Sequence, residues 1–271
     1  MTALEVTCEG ETMPYVQANG VRLYYEEHGS GDPILGIHGT SSSATMWHDV
    51  ASAKLATLGR AIIYDRRGCT RSERPEPYET GVPEQAADAA ALLDALGASP
   101  AIVIGRSYGG DVGIELALRH PEHVRALAIL EAAEIVDEEA SAWLDRVRAA
   151  IAAAGERDPS TVPEELFRWI GAEDAWPAFP EPIRQMITAN APAILAELRG
   201  PLLEVTPADL GAISCPTLVV TGEDSLPFYA RVTERLVDAI PGASALVVEG
   251  GHLIDPGHPE ILGFIRDVLR R

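Results

Sequence analysis

Hydrophobic positions along this chain fall into two rhythms. Short apolar runs with little polar interruption occur at residues 33–37, 61–64, 101–104, 126–130, 217–221 and 245–248. Their length and β-branched content predict strands buried on both faces. Longer stretches with apolar residues at helical spacing separate them, such as residues 83–96 with Ala87, Ala91 and Leu92 on one face, and residues 50–58. Near the start, residues 15–18 and 21–28 flank Asn19-Gly20, a dipeptide suited to a tight hairpin turn because both of its positions tolerate positive φ. The pattern predicts an antiparallel opening followed by a parallel sheet with helices on both faces.

Between Leu130 and Pro216 the rhythm changes. Three or four helical stretches follow one another without a strand, broken by Pro159, Pro163, Pro177, Pro180 and Pro182. Leu144, Val147 and Ile151 keep helical spacing, and Trp143, Trp169 and Trp176 add large apolar surface. This predicts an inserted helical cap over residues 138–212 on a core made of residues 14–137 and 213–271. Residues 1–13 precede Tyr15, where the first strand is expected, and read as an N-terminal tail.

Gly105-Arg106-Ser107-Tyr108-Gly109 lies where the run 101–104 stops and the helix-forming run 112–118 begins. A serine at such a strand-turn-helix junction needs small residues two positions to either side, so that strand and helix can pass closely. Its hydroxyl then requires a base, a carboxylate to orient that base, and donors for a developing oxyanion. Past the run 245–248 come Gly250-Gly251-His252, making His252 the candidate base. Past the run 217–221 comes Gly222-Glu223-Asp224, making Asp224 the favoured orienting acid. Glu131, just after the run 126–130, is the competing acid. His38-Gly39-Thr40 ends an earlier strand, so the backbone N–H groups of Thr40 and Tyr108 are the expected oxyanion donors.

With these parts in the order Ser107, Asp224, His252, the chain resembles the α/β-hydrolase superfamily along nearly its whole length. Residues 19–25 look like the family's opening hairpin. Asp65-Arg66-Arg67-Gly68-Cys69-Thr70-Arg71-Ser72 looks like its D-x-R-G-x-G-x-S turn, with Thr70 replacing the second glycine. His258-Pro259-Glu260 and a final helix resemble its C-terminal signature. The resemblance implies a mostly parallel eight-stranded sheet with the cap inserted after strand 6. It also implies a Ser-His-Asp serine hydrolase acting through an acyl-enzyme without a cofactor. A small, at least partly apolar carboxylic ester is the expected substrate. Lactone hydrolysis, C–C bond hydrolysis and slow-turnover ligand binding are the alternatives on the same machinery. Gly39, Trp47, Trp143, Trp169, Trp176 and Phe228 are the candidate pocket residues.

Charge narrows the partners. A formal charge of −20 and a sequence pI near 4.6 disfavour nucleic acid and anionic membrane surfaces, leaving a small molecule as the expected partner. Three widely separated cysteines, Cys8, Cys69 and Cys215, do not suggest a disulfide framework, and the start lacks a basic and apolar leader pattern. A cytoplasmic location is therefore expected. His28, His38 and His48 are ten residues apart on different elements, so they are not expected to share a metal ion.

Overall fold

The computed structural model describes residues 4–8, 11–133 and 138–271. In chain order the first half comprises β1 (Leu4–Cys8), β2 (Glu11–Ala18), β3 (Val21–His28), β4 (Pro33–Ile37), α1 (His48–Ala53), β5 (Arg60–Tyr64), α2 (Val82–Ala95), β6 (Ala101–Arg106), α3 (Tyr108–Arg119) and β7 (Val124–Leu130). The segment expected to form the cap contributes α4 (Glu138–Arg157), α5 (Val162–Trp169), α6 (Ala175–Ala178), α7 (Glu181–Ala189), α8 (Ala191–Arg199) and α9 (Pro207–Leu210). The chain then returns to the sheet with β8 (Thr217–Gly222), α10 (Pro227–Ala239), β9 (Ser244–Val248) and α11 (Pro259–Leu269).

The strands form one sheet in the order β1-β2-β3-β5-β4-β6-β7-β8-β9. The first three strands and the β3–β5 pair are antiparallel, and every pairing from β5–β4 to β8–β9 is parallel. The eight predicted strands are β2 to β9. The ninth, β1, lies in what reads in sequence as a tail, and it pairs with β2 at the sheet edge; residues 1–3 and 9–10 of that segment lie outside the described residues. Asn19 and Gly20 both take positive φ, as the predicted hairpin turn requires.

Unbroken apolar runs follow from a sheet covered on both faces. Leu35, Ile37, Val103, Leu127, Ile129 and Val219 point into the layer that includes α2, α3 and α10. Their chain neighbours Ile34, Ile102, Ile104, Ala128, Leu130 and Val220 point into the opposite layer with α1 and α11. Side chains on a strand alternate faces, so each residue of a central strand meets a core and none can be polar without cost. The cap has its own small core, where Val147 and Ile151 of α4 meet Val162 and Leu166 of α5 and Ile194 of α8.

Chain order reverses direction across the sheet at β4, because β5 lies on one side of it and β6 on the other. Loops leaving the carboxyl ends of β4 and β6 therefore diverge, opening a crevice of the kind where open α/β sheets bind ligands. Thr40 and Ser107 lie on those two loops.

Candidate active site

Ser107 stands between β6 and α3 with φ 55° and ψ −127°, a conformation that costs a non-glycine residue roughly 1–3 kcal/mol. Packing enforces it. A Cβ on Gly105 would lie 2.1 Å from the Gly109 carbonyl oxygen, and one on Gly109 would lie 2.2 Å from that of Ile37. Only glycine at both positions lets β4, β6 and α3 approach this closely. The Ser107 N–H donates to the Leu130 carbonyl at 2.8 Å, tying the turn to the end of β7. Tyr108 begins α3, where a backbone N–H has no acceptor within its own helix and carries the positive end of the helix dipole.

His252 completes a hydrogen-bonded chain. Its Nε2 lies 3.0 Å from Ser107 Oγ, and its Nδ1 lies 2.7 Å from Glu131 Oε2. The other carboxylate oxygen, Glu131 Oε1, accepts from Thr221 Oγ1 at 2.9 Å and from the Gly222 N–H at 2.7 Å. His252 and Glu131 are 2% and 1% exposed, so this chain is shielded from water. Burial opposes the Glu131 charge, but the hydrogen bond and charge of His252 and the Gly222 N–H outweigh it and hold the carboxyl below its ordinary value.

Strand register puts Glu131, rather than the expected Asp224, beside His252. Arg106 pairs with Leu130, and Leu130 pairs with Val220, so the residue following Leu130 sits beside Ser107 and beneath the β8 end. Glu131 takes φ 50° there and donates its N–H to Val220 O, which turns its carboxylate toward His252. Asp224 has already passed the strand end. Its N–H donates to Gly250 O, and its side chain is exposed to solvent.

The loop bearing Thr40 is held by a buried cation. His38 Nδ1 donates to the Gly39 carbonyl at 2.8 Å, and its Nε2 accepts the Arg66 N–H at 3.0 Å, which fixes a neutral tautomer. Burial first, and the Arg66 charge second, push its pKa well below the usual imidazole range. The Arg66 guanidinium donates to His38 O at 2.8 Å and to Gly39 O at 3.0 Å. Its Nη1 lies 2.7 Å from Glu197 Oε1 on cap helix α8, with the two side chains 0% and 1% exposed. The second Glu197 oxygen accepts from Thr40 Oγ1 at 2.7 Å. Burial disfavours the Arg66 charge, but Glu197 more than offsets it and keeps the guanidinium protonated.

The turn at Thr70 follows the same logic. Thr70 adopts φ 44°, the left-handed conformation that a glycine would take at no cost. Its N–H donates to Asn190 Oδ1 at 2.7 Å, and Asn190 Nδ2 donates to Thr70 Oγ1 at 3.0 Å. Two buried residues, Asn190 and Glu197, thus tie the helices between β7 and β8 to the loops after β4 and β5.

A cavity lined mainly by apolar side chains lies between Ser107 and the cap. Gly39, Thr40, Tyr108 and Trp143 are among its walls, with Leu144, Phe167 and Phe179 above. Four other predicted pocket residues lie elsewhere. Trp47 is in the core beneath the sheet, 2.8 Å from where a Gly36 Cβ would be. Trp169 packs against the cap's own core and donates from Nε1 to Glu165. Trp176 stacks near Phe167 at 5.7 Å between ring centroids. Phe228 lies behind Trp143, their centroids 4.5 Å apart.

The neighbouring Tyr229 reaches the site instead. Its ring stacks on His252 at 4.5 Å and 20°, with its hydroxyl 3.4 Å from Nε2. The aromatic pair Phe228-Tyr229 at a helix start, just past a strand end, is the sequence signal that marks it. Only the helical phase decides which of the two faces the imidazole.

Residues 32–258 match the family model described as the alpha/beta hydrolase fold, and the chain belongs to that family. RutD of Azorhizobium caulinodans, which bears the name of a carbamate hydrolase, is 31% identical over 267 residues, covering 94% of this chain and 99% of the relative. A thermophilic esterase from Thermogutta terrifontis superposes with a TM-score of 0.74 at 26% identity, over 100% of this chain and 98% of the esterase. The enol-lactonase of Burkholderia xenovorans LB400 gives 0.70 at 25% identity, over 95% and 100% of the two chains. Among the described residues, no helix is long and apolar enough to cross a membrane.

Proposed function

We propose that this α/β-hydrolase is a serine hydrolase of small, largely apolar carboxylic esters, with Ser107 as nucleophile, His252 as general base and Glu131 as orienting acid. The observation that carries the proposal is the continuous chain from Ser107 Oγ through both ring nitrogens of His252 to a buried carboxylate at the floor of an apolar cavity. Ser107 transfers its proton to His252 Nε2 as its oxygen attacks the ester carbonyl. The negative charge of the tetrahedral intermediate is met by the N–H groups of Tyr108 and Thr40. Glu131 stabilises the imidazolium, which then protonates the departing alkoxide. Water, deprotonated by the same imidazole, releases the acid from Ser107.

Apolar walls favour an ester with a hydrocarbon acyl or alkyl part, since each methylene removed from water contributes about 0.8 kcal/mol. A carbamate is the second reading, supported by the likeness to RutD across almost the full length of both chains. Both bonds put an acyl carbon on Ser107. Initial rates on matched aryl esters and aryl carbamates, with fluorophosphonate labelling read by peptide mass mapping, separate the outcomes. Label on Ser107 with faster ester turnover supports the first reading. Faster carbamate turnover favours the second, and labelling that persists in Ser107→Ala removes both.

A further inference from the structure

We infer that Glu26, His28 and His48 form a binding site for a borderline divalent transition-metal ion such as Zn²⁺, outside the catalytic cavity. Glu26 and His28 are two apart on β3 and therefore project from the same face, while His48 opens α1. Their donor atoms lie within 4.8 Å of one another. His28 Nε2 is 3.3 Å and His48 Nδ1 is 2.6 Å from the same oxygen, Glu26 Oε2.

Zinc bonds to these ligands run about 2.0–2.2 Å, so donors around a tetrahedral ion stand about 3.3 Å apart. The His28–Glu26 spacing already matches. His48, with 51% of its side chain exposed, has room to withdraw by the remaining fraction of an ångström. The two imidazole centroids are 5.1 Å apart at 86°, close to the roughly 5 Å separation of two imidazoles on one tetrahedral ion. Two imidazoles and one carboxylate suit zinc, nickel or copper ions rather than magnesium or calcium.

The surroundings orient the carboxylate. Glu26 Oε1 accepts from Tyr24 Oη at 3.0 Å and from Arg71 Nη1 at 3.4 Å, leaving Oε2 to face the histidines. Arg71 is itself paired with Asp65 at 2.6 Å, so its charge is largely answered there. Hydrogen-bonded partners of this kind fix ligand geometry and commonly change metal affinity by about 10–100-fold. An ion here would join β3 to α1, the first α-helix after the loop that carries Thr40.

The test is calorimetric titration of chelator-treated full-length protein with zinc chloride, repeated with nickel chloride. The proposal expects one ion per chain, and His28→Ala, His48→Ala and Glu26→Gln are each expected to weaken binding by about tenfold or more. His120→Ala, which breaks the other cluster of potential ligands, His120, Glu122 and His123, is expected to leave it unchanged. Zinc should raise the melting temperature of the parent and not of His48→Ala. Absence of binding with both metals, parent-like affinity in the His28 and His48 variants, or loss of binding in His120→Ala would each overturn the proposal. His48 is half exposed, and the metal-free melting temperature shows directly whether its variant is folded.

Discussion

Replacing Glu131 by glutamine exchanges one oxygen for an NH₂ group in a site whose partners cannot all adapt. The Gly222 N–H is fixed by the backbone and donates to Oε1 at 2.7 Å, so the glutamine carbonyl must face Gly222 and its NH₂ must face His252 Nδ1. The opposite orientation would put two donors against each other in a buried site, at a cost of about 1–3 kcal/mol. His252 Nδ1 is then forced to accept, and its proton moves to Nε2, which faces Ser107 Oγ. In that tautomer the imidazole cannot take the serine proton. Neutralising a triad carboxylate by this route lowers turnover about ten-thousand-fold, or roughly 5 kcal/mol of barrier. Asp224→Asn alters an exposed side chain and should change stability by no more than about 0.5 kcal/mol and turnover by less than about threefold. The assay is kcat on p-nitrophenyl butyrate for both variants, with melting temperatures showing that each is folded. A folded Glu131→Gln protein within tenfold of the parent, or an Asp224→Asn protein that falls as far, would refute the reasoning.

The remaining perturbations follow from the other contacts described above. Glu197→Gln leaves the Arg66 guanidinium buried without its counter-charge, so stability should drop by about 3–5 kcal/mol and the melting temperature by on the order of 10 °C. Glu164→Gln, which breaks an exposed pair with Arg168, should cost no more than about 1 kcal/mol, and equal losses by calorimetry would contradict the role given to burial. His38 is held neutral, so below about pH 6.5 the unfolded chain binds a proton that the native state does not. Native stability therefore falls as pH drops, by up to about 1.4 kcal/mol per unit. Urea unfolding near pH 7 and pH 5.5 should show a smaller acid loss for His38→Gln, by about 1 kcal/mol. Trp143→Ala removes a cavity wall and should shift preference toward longer acyl chains, whereas Trp169→Ala should lower the melting temperature with the chain-length profile unchanged.

Local rules sufficed for everything that depends on sequence neighbours. Five of the six apolar runs became inner strands because both of their faces are covered, whereas the run 245–248 became the edge strand β9, with Val247 56% exposed. Asn19-Gly20 became a turn because both residues tolerate positive φ, and the elbow glycines mark close backbone approaches. Ser107 and His252 stand out for the same reason, since each lies past a strand end, and the fold brings their side chains to 3.0 Å. The acid does not. Glu131 and Asp224 both follow strands in the sequence, and only the register of β6, β7 and β8 puts the first beside His252 and leaves the second in solvent. The tryptophans show the limit again, because helical spacing marks them as apolar without saying whether the covered face meets the cap's core or the cavity. Nor does periodicity reveal that Glu197 meets Arg66 from 131 residues away, or that His48 reaches β3 at Glu26. The chain's own pattern determined the layers and the place of a serine at the strand-turn-helix junction. Which distant charges answer one another was decided only when the cap and helices closed over the sheet, because burial makes an unpaired charge costly and leaves few places to pair it.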